Sequence, residues 1–172
     1  MVGTVRSAVN RSGPIVAASK QNLYAELRSA LASLLAGERD WIANLGNTAA
    51  LLMQELGDIN WVGFYLLKRG ELVLGPFQGK PACVRIAIGK GVCGAAVQRR
   101  QSIVVPDVHA FPGHIACDSA SNSEIVVPLL RGNELFGVLD VDSPSFGRFD
   151  DDDRVGLEAI AEVLIDASVV GE

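Results

Sequence analysis

Three cysteines, Cys83, Cys93 and Cys117, are the residues of this 172-residue chain best suited to chemistry. A thiolate is a strong nucleophile whose pKa a protein can lower locally, so it needs less help than a serine hydroxyl. The spacings, ten residues and then twenty-four, contain no C-x-x-C pair, and His109 and His114 complete no zinc-ligand pattern. Neither a zinc ribbon nor a thioredoxin-like site is expected. An odd number of cysteines argues against a structural disulfide framework, so reduced thiols in a cytoplasmic compartment are expected. Cys93, between Val92 and Gly94, reads as a packed thiol of the core. Cys117 is followed by Asp118, Ser119 and Ser121, a polar stretch where an inert buried thiol would be out of place.

Three acids interrupt apolar, strand-like runs: Glu124, Asp140 and Asp142. Asp140 and Asp142 alternate with Leu139 and Val141, so both project from one face of one strand. An apolar strand carries two acids on one side when that side meets water, a cation or a ligand. Trp61, Phe64 and Tyr65 read either as core or as an aromatic wall beside those acids, which would suit a cationic or sulfonium-like group. The run Asp150 to Asp153 suits a helix start, where carboxylates cap free N–H groups and meet the positive end of the dipole; a metal site there is the sharper alternative.

The elements that must position these residues follow from periodicity. Apolar residues recur at helical spacing from Lys20 to Leu56: Leu23, Leu27, Leu31, Leu34 and Leu35, then Trp41, Ile42, Leu45, Leu51, Leu52 and Leu56. Two helices broken near Gly37 are expected. WVGFYLL and ELVLGPF around Lys68-Arg69-Gly70 predict a β-hairpin, and EIVVPLL and ELFGVLDVDS around Arg131-Gly132-Asn133 a second. Cys83 to Ile88 alternates like a strand, Gly89 to Gln98 reads as a turn feeding a short helix that holds Cys93, and Ile103 to Val105 is a short strand. Val108 to Ser123 lacks periodicity, which predicts a long loop carrying Cys117; loops of that length are commonly functional. A terminal helix spans about Arg154 to Val170, with Val155, Leu157, Ile160, Val163 and Leu164 as its apolar face. Together these describe an α+β fold, an antiparallel sheet flanked by N-terminal and C-terminal helices.

Composition narrows the function classes. Hydrophobic residues at 49% and charged residues at 20% are those of a globular domain. A net charge of −5 argues against a broad nucleic-acid surface, which needs clustered Lys and Arg. The longest apolar stretches are shorter than the roughly 20 residues that span a bilayer. Residues 1–18 hold Arg and Ser but no acid; a disordered tail is expected ahead of a single domain over 19–172, with an organelle transit segment as the alternative.

The segments NWVGFYLL, LVLGPFQGKPACVRIAIGKGVCGAA, VPDVHAFPGHIACDSASNSEIVVPL and GVLDVDSPSFGRFDDDD resemble the free methionine-(R)-sulfoxide reductases, a catalytic branch of the GAF domains. The likeness runs from about Leu31 to Asp166 and includes all three cysteine contexts in order. It implies a GAF-type α/β sandwich and reduction of free methionine (R)-sulfoxide. By the same resemblance Cys117 of ACDS is the nucleophile, Cys83 of PACVRI the resolving thiol, and Cys93 of GVCG auxiliary. The acids Glu124, Asp140 and Asp142 and the aromatics Trp61 and Tyr65 become substrate-binding, with Asp142 or Glu124 the proton donor. The implied cycle needs no metal or organic cofactor, uses thioredoxin as reductant, and runs in a homodimer.

The chemistry has physical sense. Attack of a thiolate on sulfoxide sulfur requires protonation of the departing oxygen, so thiol and acid must flank the substrate. Acids also explain preference for the free amino acid, whose α-ammonium group a peptide lacks. Two rivals stay open on sequence: a GAF-type small-molecule sensor without catalysis, and a thiol peroxidase or redox switch.

Overall fold

The computed structural model describes residues 19–113 and 119–170; the expectations for residues 1–18, His114, Cys117 and Asp118 lie outside them. Both predicted hairpins form. β1 (Trp61–Lys68) and β2 (Glu71–Gln78) are antiparallel. Their two-residue turn has Arg69 at φ 53° and Gly70 at φ 83°, the mirror-image geometry that matches the twist of the flanking strands. Three further strands are β3 (Arg85–Ala87), β4 (Ile103–Val105) and β5 (Ser123–Arg131), and the last is β6 (Glu134–Ser143). The sheet runs β3-β2-β1-β6-β5-β4, with every pairing antiparallel. The strand expected over Cys83 to Ile88 is shorter than the pattern suggested. It lies at the sheet edge, pairs only with β2, and buries Ile86 alone of its three residues; a last backbone bond from the Leu74 amide to the Val84 carbonyl stops one residue short of Cys83.

Alternation along the strands divides the sheet into two chemically different faces. Val62, Phe64 and Leu66 of β1, Ile125, Val127 and Leu129 of β5, and Leu139 and Val141 of β6 form one buried face. The helices α1 (Lys20–Leu34), α2 (Trp41–Glu55) and α4 (Asp151–Ala167) cover it. The other face carries Trp61, Tyr65, Val126 and Val138, covered by α3 (Gly91–Arg99) and the loops. Phe64 is therefore core, while Trp61 and Tyr65 belong with the acids.

Capping sets where the helices start. Ser19 accepts from the Asn22 amide and Asp40 from the Ala43 amide, and Asp150 forms a reciprocal capping box with Asp153. The aspartate run is thus a helix start, and α4 begins before the expected Arg154. It ends before the expected Val170, at Ser168, whose hydroxyl donates to the Leu164 carbonyl. Asp153 itself is buried, paired with Lys20 and Arg148 and accepting from the Tyr24 hydroxyl. Three residues assigned to apolar faces are exposed instead: Leu34 (48%), Ile42 (53%) and Val155 (56%). Tyr24 takes an inward place on α1 because Gly156 leaves room for its ring; a Cβ there would lie 2.1 Å from a ring carbon. Among the described residues no helix is long and apolar enough to cross a bilayer.

Candidate active site

The register of the three central strands brings the predicted acids together. Asp142 faces Trp61 on β1 and Glu124 on β5, while Asp140 faces Gly63 and Val126. Glu124 and Asp140 are thus diagonal neighbours on one face, and both are almost entirely buried, each 6% exposed; Asp142 is half-buried. Helix α3 lies over them. Gly94 lets it seat closely, since a Cβ would come within 2.4 Å of the Ala87 carbonyl oxygen. That seating lowers Cys93 onto the acids, so that Cys93 Sγ and one carboxylate oxygen each of Glu124 and Asp140 lie within 4.8 Å of one another.

Burial makes charge costly there. Desolvation, then the charges of Asp140 and Asp142, push the Glu124 carboxyl well above the usual carboxylate range. Desolvation raises Asp140 to about 7, against hydrogen bonds from Cys93 and Glu124 that lower it. Burial and mutual repulsion thus favour a proton on Glu124, while its neighbours hold back the rise at Asp140. Its Oδ1 is left buried with no hydrogen-bond partner. Desolvation and the Asp140 and Glu124 charges also raise the Cys93 thiol, which keeps it neutral. Cys93 was expected to pack, and it does; it is a free thiol, 3% exposed.

An aromatic wall closes one side. Trp61 stacks on Phe77 of β2 at 5.4 Å between centroids and on Tyr65 at 6.0 Å. Gly63 permits this, since a Cβ would meet the Trp61 ring at 2.6 Å. The polar edges of two of these rings hold the segment that carries Cys83. Trp61 Nε1 donates to the Lys80 carbonyl at 3.1 Å and the Tyr65 hydroxyl to the Cys83 carbonyl at 3.0 Å. Cys83 is disulfide-bonded.

Cys117 lies outside the described residues, but the chain that follows it is tied to the acid-bearing strand. Asn122 donates its amide to the Ser143 carbonyl at 2.8 Å and its side-chain nitrogen to the Pro144 carbonyl at 2.6 Å. Its Oδ1 sits 3.0 Å from His109 Nε2, and the Asn60 side chain donates to the Ser121 hydroxyl at 3.1 Å. Sequence reasoning named none of Asn60, Gly63, Phe77 or Asn122. Only Gly63 left a signal, as a glycine inside a strand, which often marks a close approach.

Comparison with known proteins agrees with this geometry. The family model for the GAF domain matches residues 42–167. The chain is 57% identical to the free methionine-R-sulfoxide reductase of Escherichia coli over 146 residues, 85% of this chain and 88% of that one. It superposes on the Neisseria meningitidis free methionine-R-sulfoxide reductase in complex with its substrate with a TM-score of 0.85 and 47% identity, covering 93% of this chain and 94% of that one. A Burkholderia vietnamiensis protein described as a GAF sensor gives a TM-score of 0.85 and 59% identity, covering 88% and 96% of the two chains.

Proposed function

Since the chain belongs to the free methionine-R-sulfoxide reductase family of GAF-domain proteins, we propose that it reduces free L-methionine (R)-S-oxide to methionine with its own cysteines. The observation that carries this reading is the unpartnered, buried Asp140 Oδ1, on the sheet face that also carries Trp61 and Tyr65. A buried carboxylate oxygen without a partner is a receptor for a cation. The α-ammonium group of a free amino acid supplies that cation, and a residue within a peptide does not. Trp61 covers the S-methyl group with Tyr65 beside it, which orients one epimer.

In the first step the Cys117 thiolate attacks sulfur as Glu124 delivers its proton to the sulfoxide oxygen, with half-buried Asp142 relaying or replacing it. The hydroxyl passes from the substrate sulfur to the Cys117 sulfur as the new sulfur–sulfur bond breaks with its electron pair staying on the substrate, so methionine leaves and Cys117 becomes a sulfenic acid. The Cys83 thiol condenses with it, expelling water and forming a disulfide, which an external dithiol of the thioredoxin type reduces by exchange. The disulfide-bonded state of Cys83 supports its part as the resolving thiol, and a buried, neutral Cys93 supports an auxiliary one. No metal or organic cofactor enters the cycle. A reducing, cytoplasmic compartment suits such exchange. The exposed Leu34, Ile42 and Val155 support a homodimer packed through the helical face.

Assay of released methionine from the two free epimers tests the reading. Wild type is expected to turn over only the R epimer, and Cys117→Ser neither. Retained turnover in that variant removes Cys117 as nucleophile, and an inert wild type that still binds methionine favours the sensor.

A further inference from the structure

Cys93 is a buried thiol that the cycle above does not consume, and its position calls for an account beyond packing. Its sulfur and the oxygens of Glu124 and Asp140 lie within 4.8 Å of one another, and all three residues are buried. One thiolate and two carboxylates form the mixed sulfur and oxygen set that suits a borderline-soft dication. Three protein ligands leave a fourth, open position. Ligand atoms about 2.0 to 2.3 Å from a shared tetrahedral ion stand roughly 3.3 to 3.8 Å apart, a span inside the 4.8 Å that bounds these three atoms. The second observation is Asp140 Oδ1, which lacks a partner in a residue 94% buried, the complement of its 6% exposure. The like charges that hold these groups protonated become favourable once a dication sits among them.

We propose that Cys93, Glu124 and Asp140 form a site for a divalent cation of the zinc class, and that occupancy blocks the enzyme by taking the Asp140 carboxylate that receives the substrate's ammonium group and the Glu124 carboxyl that protonates its oxygen. Binding forms one metal–sulfur and two metal–oxygen bonds and releases the protons of the Cys93 thiol and the Glu124 carboxyl to solvent. The ion and the amino acid therefore exclude one another, which gives this metal-free reductase a metal-sensitive off state. The blocking step rests on the substrate reading above, whereas the metal site does not.

The oxidised full chain serves as the test material, because its Cys83 is already bonded while Cys93 remains free. Titration with Cd2+ is expected to give a thiolate-to-metal absorption band saturating at one equivalent. The band should be lost in Cys93→Ser, weakened in Asp140→Asn, and reversed by added methionine. Circular dichroism shows whether each variant folds, and should Cys93→Ser fail to, the Asp140→Asn comparison still decides. An absent band, or one that survives both substitutions, overturns the site. A band that methionine does not displace overturns the competition. Turnover in metal-free buffer is read separately, so loss of the reductase reading leaves a distinct signature: the band is present and turnover is absent.

Discussion

On the proposed reading, a single carboxyl, Asp140, carries both the recognition and the pH response of the site. Burial raises it from an ordinary 3.8 to about 7, and only its ionised form attracts an ammonium group. KM for methionine sulfoxide is therefore expected to rise about tenfold for each pH unit below about 7, a slope that Asp140→Asn should abolish while raising KM at pH 8. The same shift acts on the ligand-free fold in the opposite sense. Between pH 3.8 and about 7 the native state holds a proton that the unfolded chain has released, so this group's contribution to stability is complete below that window and lost as pH rises through it. Urea midpoints of Asp140→Asn relative to wild type should accordingly increase across the same window; a constant difference would falsify the assignment. The pairing of Asp140 with Asp142 on one face was legible from alternation alone. The orphaned oxygen was not, because it depends on where Cys93 and Glu124 reach from other elements.

At the scale of elements, β1 does two jobs with alternate residues. Its even positions build the core under the helices, while Trp61 and Tyr65 on the opposite face line the site and hold the segment 80–83 by their polar edges. Tyr65→Phe keeps the ring and removes only the hydrogen bond to the Cys83 carbonyl. Release of the first methionine should then be nearly unchanged in rapid quench, while disulfide formation slows about fivefold, the worth of a hydrogen bond of about 1 kcal/mol. Equal slowing of both steps would show that the hydroxyl serves substrate instead. The sequence indicated the hairpin and its turn, but it over-extended β3 to Cys83. An alternating pattern at a sheet edge resembles a strand even where its single neighbour stops pairing at Val84.

For the whole molecule, the contact between α1 and α4 ties the start of the described chain to its end. Asp153 is the centre of that contact, with Lys20, Arg148 and Tyr24 around a carboxylate whose side chain is 1% exposed. Removing its charge in Asp153→Asn leaves Arg148 without its carboxylate and Lys20 with Asp150 alone, and should cost about 3 kcal/mol in urea unfolding. Gly156→Ala forces a methyl group into the Tyr24 ring and should cost about 1 to 3 kcal/mol. Both changes lie across the sheet from the acids, so the turnover of folded protein should hold. A fall in kcat without a fall in stability would show that the helical layer governs the site.

The sequence by itself determined the cysteine set, the shared face of Asp140 and Asp142, the two hairpins and the two N-terminal helices. Each of these depends on periodicity or turn chemistry acting over a few residues. Family likeness in four segments added the reaction. Tertiary structure alone decided that Glu124 joins Asp140 diagonally across two strands, that Cys93 is pressed onto both, and that Trp61 lies flat over Gly63 against Phe77. It also turned Leu34, Ile42 and Val155 outward in favour of Tyr24. These outcomes depend on register and on the seating of α3, which bring residues from separate elements together. Helical and strand periods assign a residue to a face, but they do not say which neighbour it will meet there.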